Sequence, residues 1–80
     1  MSMIFEQLCT ILSNQFGVDV DSISMETSFE EDLGADSLDL VDLSMALEET
    51  FGVEELTEDE IGSITTVGDL VHFLQSRVDN

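Results

Sequence analysis

The chain has no proline, tryptophan or tyrosine, a single cysteine, and only one lysine or arginine against nineteen acids. Each absence removes a class of function. The lone Cys9 excludes an internal disulfide and cannot form a metal site of paired cysteines. It falls at the edge of a helical apolar face, so a buried thiol is expected there. With so little positive charge, nucleic acid and anionic membranes are excluded as partners, because their phosphates would be repelled at every approach. Basic protein surfaces are the expected partners. No apolar run reaches the ~18 residues of a membrane span. The opening Met1-Ser2-Met3-Ile4-Phe5-Glu6 lacks the basic region of a signal peptide and the arginines of a transit peptide. The mature chain is therefore expected to begin here and to stay in a cytoplasmic compartment.

What is present is an 80-residue chain that is 42% hydrophobic with a formal charge of −18. That is too apolar for an acidic disordered tail. It is long enough for one domain, residues 1–80, whose thin core buries only about 60% of the unfolded surface. Ile4, Phe5, Leu8, Leu12 and Phe16 form one stripe at 100° per residue, with Ser2 to cap a first helix and Gly17 to stop it. From residue 18 to 35 the apolar side chains Val18, Val20, Ile23, Phe29 and Leu33 keep no period and alternate with Asp, Ser, Thr and Gly. They predict a long ordered loop pinned to the core. A second helix starts at Asp36 or Ser37, with Asp39 placed for a capping interaction, and runs to about Thr50 ahead of Gly52. Thr57-Glu58-Asp59-Glu60 predicts a capped helix of one or two turns, with Gly62 following at once. A last helix opens with Thr65 or Thr66, where Thr66 and Asp69 fit another capping box, and carries the stripe Val67, Leu70, Val71, Leu74 and Val78. No β-alternation stands out. The expected fold is all-α, a small four-helix bundle with a long loop between helices one and two and a short third helix.

Ser37 is the residue with the clearest chemistry, set where a glycine turn passes into the second helix. A hydroxyl at the positive end of a helix is a good anchor for a phosphate ester and a poor nucleophile. A serine hydrolase needs a base within hydrogen-bond reach, and His72 lies on the helix-four wheel opposite Val67 and Leu74, so it should face solvent. Paired-carboxylate catalysis lacks an enclosing pocket. Asp19, Asp21 and Glu30 stand at positions 1, 3 and 12 of a possible calcium loop, but Ile23 and Ser24 take the places of an oxygen ligand and a glycine. No specific metal site is expected. The second helix carries two apolar stripes. Leu40, Leu43, Leu47 and Phe51 share the core face, while Leu38, Val41 and Met45 lie opposite, bordered by Asp42, Glu48 and Glu49. Surface hydrophobes of this kind are ordinary. They also suit a docking surface with apolar anchors and an acidic rim that includes Asp39.

Gly34-Ala35-Asp36-Ser37-Leu38-Asp39, followed by Met45-Ala46-Leu47-Glu48-Glu49 and Ile64-Thr65-Thr66-Val67, resembles the acyl carrier proteins of dissociated fatty acid synthesis. The likeness runs from the first helix to the fourth. It implies that Ser37 is the attachment residue for 4′-phosphopantetheine, delivered from coenzyme A by a separate, magnesium-dependent phosphopantetheinyl transferase. The thiol of that arm would hold the acyl chain as a thioester, so the cofactor carries the reactive group and the protein is not an enzyme. Helix two then resembles the family's recognition helix, at Leu38, Asp39, Val41, Asp42, Met45, Glu48 and Glu49. Its partners would be fatty acid synthesis enzymes that present Arg and Lys, and the carrier would act as a monomer. Thirteen of the nineteen acids lie between Glu30 and Glu60, a field that speeds association while leaving each contact weak. The family shelters its acyl chain between helices. A core of Leu, Ile, Val, Phe and Met suits such parting, and suits ordinary packing equally.

Two features depart from the family. Gly52-Val53-Glu54-Glu55-Leu56-Thr57 lacks the usual proline and is a residue longer, and lysine is absent. The alternatives are a specialised carrier of polyketide, D-alanyl or peptidyl intermediates and, in another class, a non-enzymatic acidic adaptor or calcium-binding protein. Ala35-Asp36 before Ser37, in place of the Gly-His common in peptidyl carriers, favours the acyl type.

Overall fold

The structure is a computed structural model, and it describes residues 3–78. Four helices follow in order: α1 (Met3–Phe16), α2 (Ser37–Phe51), α3 (Glu58–Ser63) and α4 (Val67–Val78). Among the described residues there is no strand, in keeping with the expected all-helical bundle. Ser2, expected to cap α1, lies outside the described residues.

Leu8 and Leu12 of α1 are fully buried, and Ile4, Phe5, Ile11 and Phe16 pack half-buried around them. The helix stops at Gly17, whose φ of 69° is left-handed and whose N–H donates to Ser13 O at 2.9 Å. Cys9 is buried as expected, and burial, followed by the nearby Glu6 carboxylate, pushes its thiol pKa up. That is an inert environment.

The connection from α1 to α2 is more structured than its composition indicates. It contains a short 3-10 turn at Val20–Ser22, capped by Asp19, whose carboxylate accepts from the Asp21 N–H. Ile23 and Phe29 are buried, as the loop reading requires, while Val20 is 42% exposed. The loop is also stitched to the start of α4 by backbone bonds: Phe29 N to Thr65 O, Val67 N to Thr27 O and Gly68 N to Met25 O. At Gly68 the chains approach so closely that a Cβ would stand 2.9 Å from Met25 O, which explains a glycine inside a helix.

The core joins Leu43 and Leu47 of α2 to Val67, Leu70, Val71 and Leu74 of α4 and to the α1 leucines. Some expected core positions are less enclosed than their spacing predicts. Leu40 and Phe51 are half-buried and Val78 is 41% exposed, because each stands near the end of a helix or under the thin α3 cover. Two core residues come instead from the α2–α3 connection, Val53 and Leu56. Ser44, on the edge of the α2 core face, is 1% exposed, and its Oγ accepts from Leu56 N–H at 2.8 Å. That hydrogen bond satisfies a buried hydroxyl and fixes the extra-long connection to α2. The third helix is six residues, opened by a reciprocal capping box between Thr57 and Glu60. Gly62 lies inside it rather than ending it.

Candidate functional site

The site is built from the first turn of α2 outward. Asp36 takes an extended conformation as the N-cap. Its carboxylate accepts from Asp39 N–H at 3.0 Å, and the Asp39 carboxylate accepts from Asp36 N–H at 3.1 Å. Ahead of it, Gly34 has a φ of 65° and Ala35 is buried, its N–H donating to Phe29 O at 2.8 Å. A left-handed glycine and an anchored alanine thus deliver the chain to the cap at a set angle.

Ser37 is the first residue of α2 and is exposed. Among the described residues nothing hydrogen-bonds to its hydroxyl, and the N–H groups of Ser37 and Leu38 also lack an acceptor. A free hydroxyl beside two unpaired helix N–H groups fits a phosphate ester. The Asp36 and Asp39 carboxylates would repel a phosphate, but both are tied into the cap, and a covalent ester needs no charge attraction to stay in place. His72 is exposed on α4, and no hydrogen bond links it to Ser37. No group of three or more metal-ligating side chains occurs among the described residues, and Asp19 and Asp21 serve the 3-10 turn.

The outer face of α2 begins beside Ser37. Leu38 is 75% and Met45 51% exposed, with Val41 half-buried between them. A straight helix carries this stripe from Ser37 to Met45 over about 12 Å. Asp42, Glu48 and Glu49 are exposed along it and have no protein partner among the described residues. Asp39 differs from these acids, because its carboxylate is engaged in the cap. The chain's one arginine, Arg77, is held elsewhere, paired with Glu60 and stacked 4.6 Å over the Phe73 ring. The negative field of α2 is therefore not neutralised within the chain.

One contact with this site was invisible in the sequence. Gln15 of α1 donates from Nε2 to the backbone carbonyl of Asp39 at 2.8 Å. Nothing local to Gln15 signals a partner 24 residues away. Beneath α2, Leu43, Leu47, Leu56, Ile61 and Leu70 line an apolar gap of about 10 Å³ between α2, α3 and α4. An apolar gap that small marks imperfect packing rather than a formed ligand chamber.

A capped helix presenting an unbonded serine, set in a small helical bundle, is an arrangement that suits a carrier domain. A protein-family model described as the phosphopantetheine attachment site matches residues 6–74. The chain is 44% identical over 77 residues to an acyl carrier protein of Clostridium acetobutylicum, covering 96% of this chain and 99% of that one. It belongs to the acyl carrier protein family. Its fold is similar to that of the acyl carrier protein from Enterococcus faecalis, with a TM-score of 0.77, 28% identity and 92% of both chains covered. It is also similar to the apo doublet acyl carrier protein from prodigiosin biosynthesis, with a TM-score of 0.77 over 92% of this chain and 35% of that one. At 24% identity that second likeness concerns the fold alone. Acyl carrier proteins carry a covalently attached phosphopantetheine and are not catalysts. No helix of the described residues is long and apolar enough to cross a membrane.

Proposed function

We propose that Ser37 is the residue that bears the phosphopantetheine arm, and that the outer face of α2 is where partner enzymes dock. The reading places the protein in the cytoplasm as a monomeric carrier of acyl thioesters for fatty acid synthesis, loaded by a phosphopantetheinyl transferase. The observation that carries it is the exposed, unbonded Ser37 hydroxyl at the head of α2. When attached, the arm supplies a terminal thiol for thioester chemistry. The chain's own residues do the rest. Asp36 and Asp39 hold the first turn, Leu38, Val41 and Met45 offer apolar anchors, and Asp42, Glu48 and Glu49 steer basic surfaces toward them.

Incubation with coenzyme A and a broad-specificity transferase, read by intact mass, tests the first part. One pantetheine mass is expected on the wild type and none on Ser37→Ala. A mass that survives the substitution overturns the assignment. For the docking face, Met45→Glu is expected to keep its helical circular dichroism while slowing transferase and synthase reactions. Loss of helicity would mean that the outer stripe is core. The mass of the protein purified from its host separates fatty acid duty from a specialised one, since it reports the acyl cargo.

A further inference from the structure

We propose that Gln15 is a positioning residue for the loading of Ser37, acting from α1 on the first turn of α2; this rests on the reading of Ser37 as the attachment residue. In the loading step a bond forms between Ser37 Oγ and the phosphorus of coenzyme A that bears the pantetheine. The bond from that phosphorus to the bridging pyrophosphate oxygen breaks, adenosine 3′,5′-bisphosphate leaves with the electron pair, and the serine proton passes to a base of the transferase. Such a displacement requires the hydroxyl to be held in line, and small misplacements are costly.

The first turn of a helix is where such holding is weakest. Ser37 and Leu38 donate no helical hydrogen bond, and among its own residues the turn is closed only by the Asp36–Asp39 box and by the Leu40 N–H donating to Asp36 O at 3.1 Å. Asp39 is its keystone. Its N–H and its carboxylate bind Asp36, and its carbonyl receives the Gln15 amide at 2.8 Å. The carbonyl has two lone pairs, so the side chain adds to the helical bond rather than replacing it. Gln15 is half-buried near the end of α1, where Leu12 and Phe16 fix the helix against the core. The amide therefore ties the serine-bearing turn to the rigid body of the bundle.

The residue type follows from the same geometry. A carboxylate at position 15 would set acceptor against acceptor and add charge near the Asp36–Asp39 box. A neutral donor of this length meets the requirement.

The test uses Gln15→Met, which keeps the length and removes the donor, with Gln15→Asn, which keeps the amide but shortens its reach, as a second variant if the first fails to fold. In the unloaded protein the amides of Asp39 and Leu40 should exchange about fivefold faster, the local equivalent of one hydrogen bond, while those beyond Ser44 in α2 keep their rates. In the transferase assay kcat should fall about tenfold with KM for the carrier within about twofold, because the docking stripe is intact. Unchanged exchange, exchange rising evenly along α2, or a loss confined to KM would overturn the positioning role. Peptide mapping of the loaded wild type keeps the two readings apart. A pantetheine mass away from Ser37 refutes the attachment reading, while the exchange data still decide whether Gln15 holds the turn.

Discussion

Helices α2 and α3 open with the same device and are held in place by different means. Asp36 and Asp39 cap α2 reciprocally, and Thr57 and Glu60 cap α3 in the same way. Yet α2 runs fifteen residues with Leu43, Ser44 and Leu47 buried, whereas α3 runs six and has no buried residue. Six residues fall far short of the ~12–15 that make an isolated helix even marginal in water. A cap therefore marks where a helix begins, and burial decides how firmly it stays. With the arm on Ser37, as proposed, the difference would give the tether a firmly packed mount and leave a looser cover over the core.

The largest effect that tests this contrast comes from truncating the two core faces. Leu47→Ala should cost about 2–5 kcal/mol in denaturant unfolding, since a fully buried leucine leaves a cavity. Ile61→Ala, at a half-buried position of α3, should cost about 1 kcal/mol. Equal losses would mean that α3 is as integral as α2. The caps offer a finer version. Asp36→Ala and Thr57→Ala each remove about 1 kcal/mol of local helix stability. The first should lower the melting temperature of the whole protein, and the second should appear mainly as faster amide exchange within α3. A global loss from Thr57→Ala that matches Asp36→Ala would erase the distinction.

The parts of this architecture that were legible in the sequence are those whose chemistry is local. Asp36 with Asp39, Thr57 with Glu60 and Thr66 with Asp69 are each three residues apart, and each forms the expected reciprocal bonds. Ser37 and its neighbouring stripe share one helix, so their relation follows from 3.6 residues per turn. What stayed hidden depends on distant partners. Ser44 stands on the edge of the core face with no local sign of the Leu56 N–H that donates to it, and Gln15 is a polar residue near a helix end with no local sign of Asp39. Gly62 lies inside α3 although glycine costs a helix about 1 kcal/mol. Ile61 and Ile64, packed against the core on either side of it, outweigh that cost. The pairing of Met25, Thr27 and Phe29 with the start of α4 likewise joins segments some forty residues apart, beyond the reach of any periodicity.

The smallest expected effect is the most specific to α3. The Thr57 N–H, and after it the Arg77 charge, hold the Glu60 carboxyl below its ordinary value of 4.5. The Thr65 hydroxyl and the N–H groups of Thr65 and Thr66 hold Asp69 below 3.8. Both carboxyls are therefore more acidic folded than unfolded. Their contribution is complete above the ordinary values and is lost as the pH falls through the lowered ones. Acidification below about 4.5 should weaken both caps, and α3, which buries no residue, should show it before the well-buried α4, as amide signals of α3 broadening or exchanging first. Arg77→Gln removes one of the influences on Glu60 and should move the release of α3 to higher pH. It should do so only in part, because the Thr57 N–H remains and its effect is the larger. A variant whose α3 is released at the full unperturbed value would mean that the ion pair, rather than the cap, holds this helix in place.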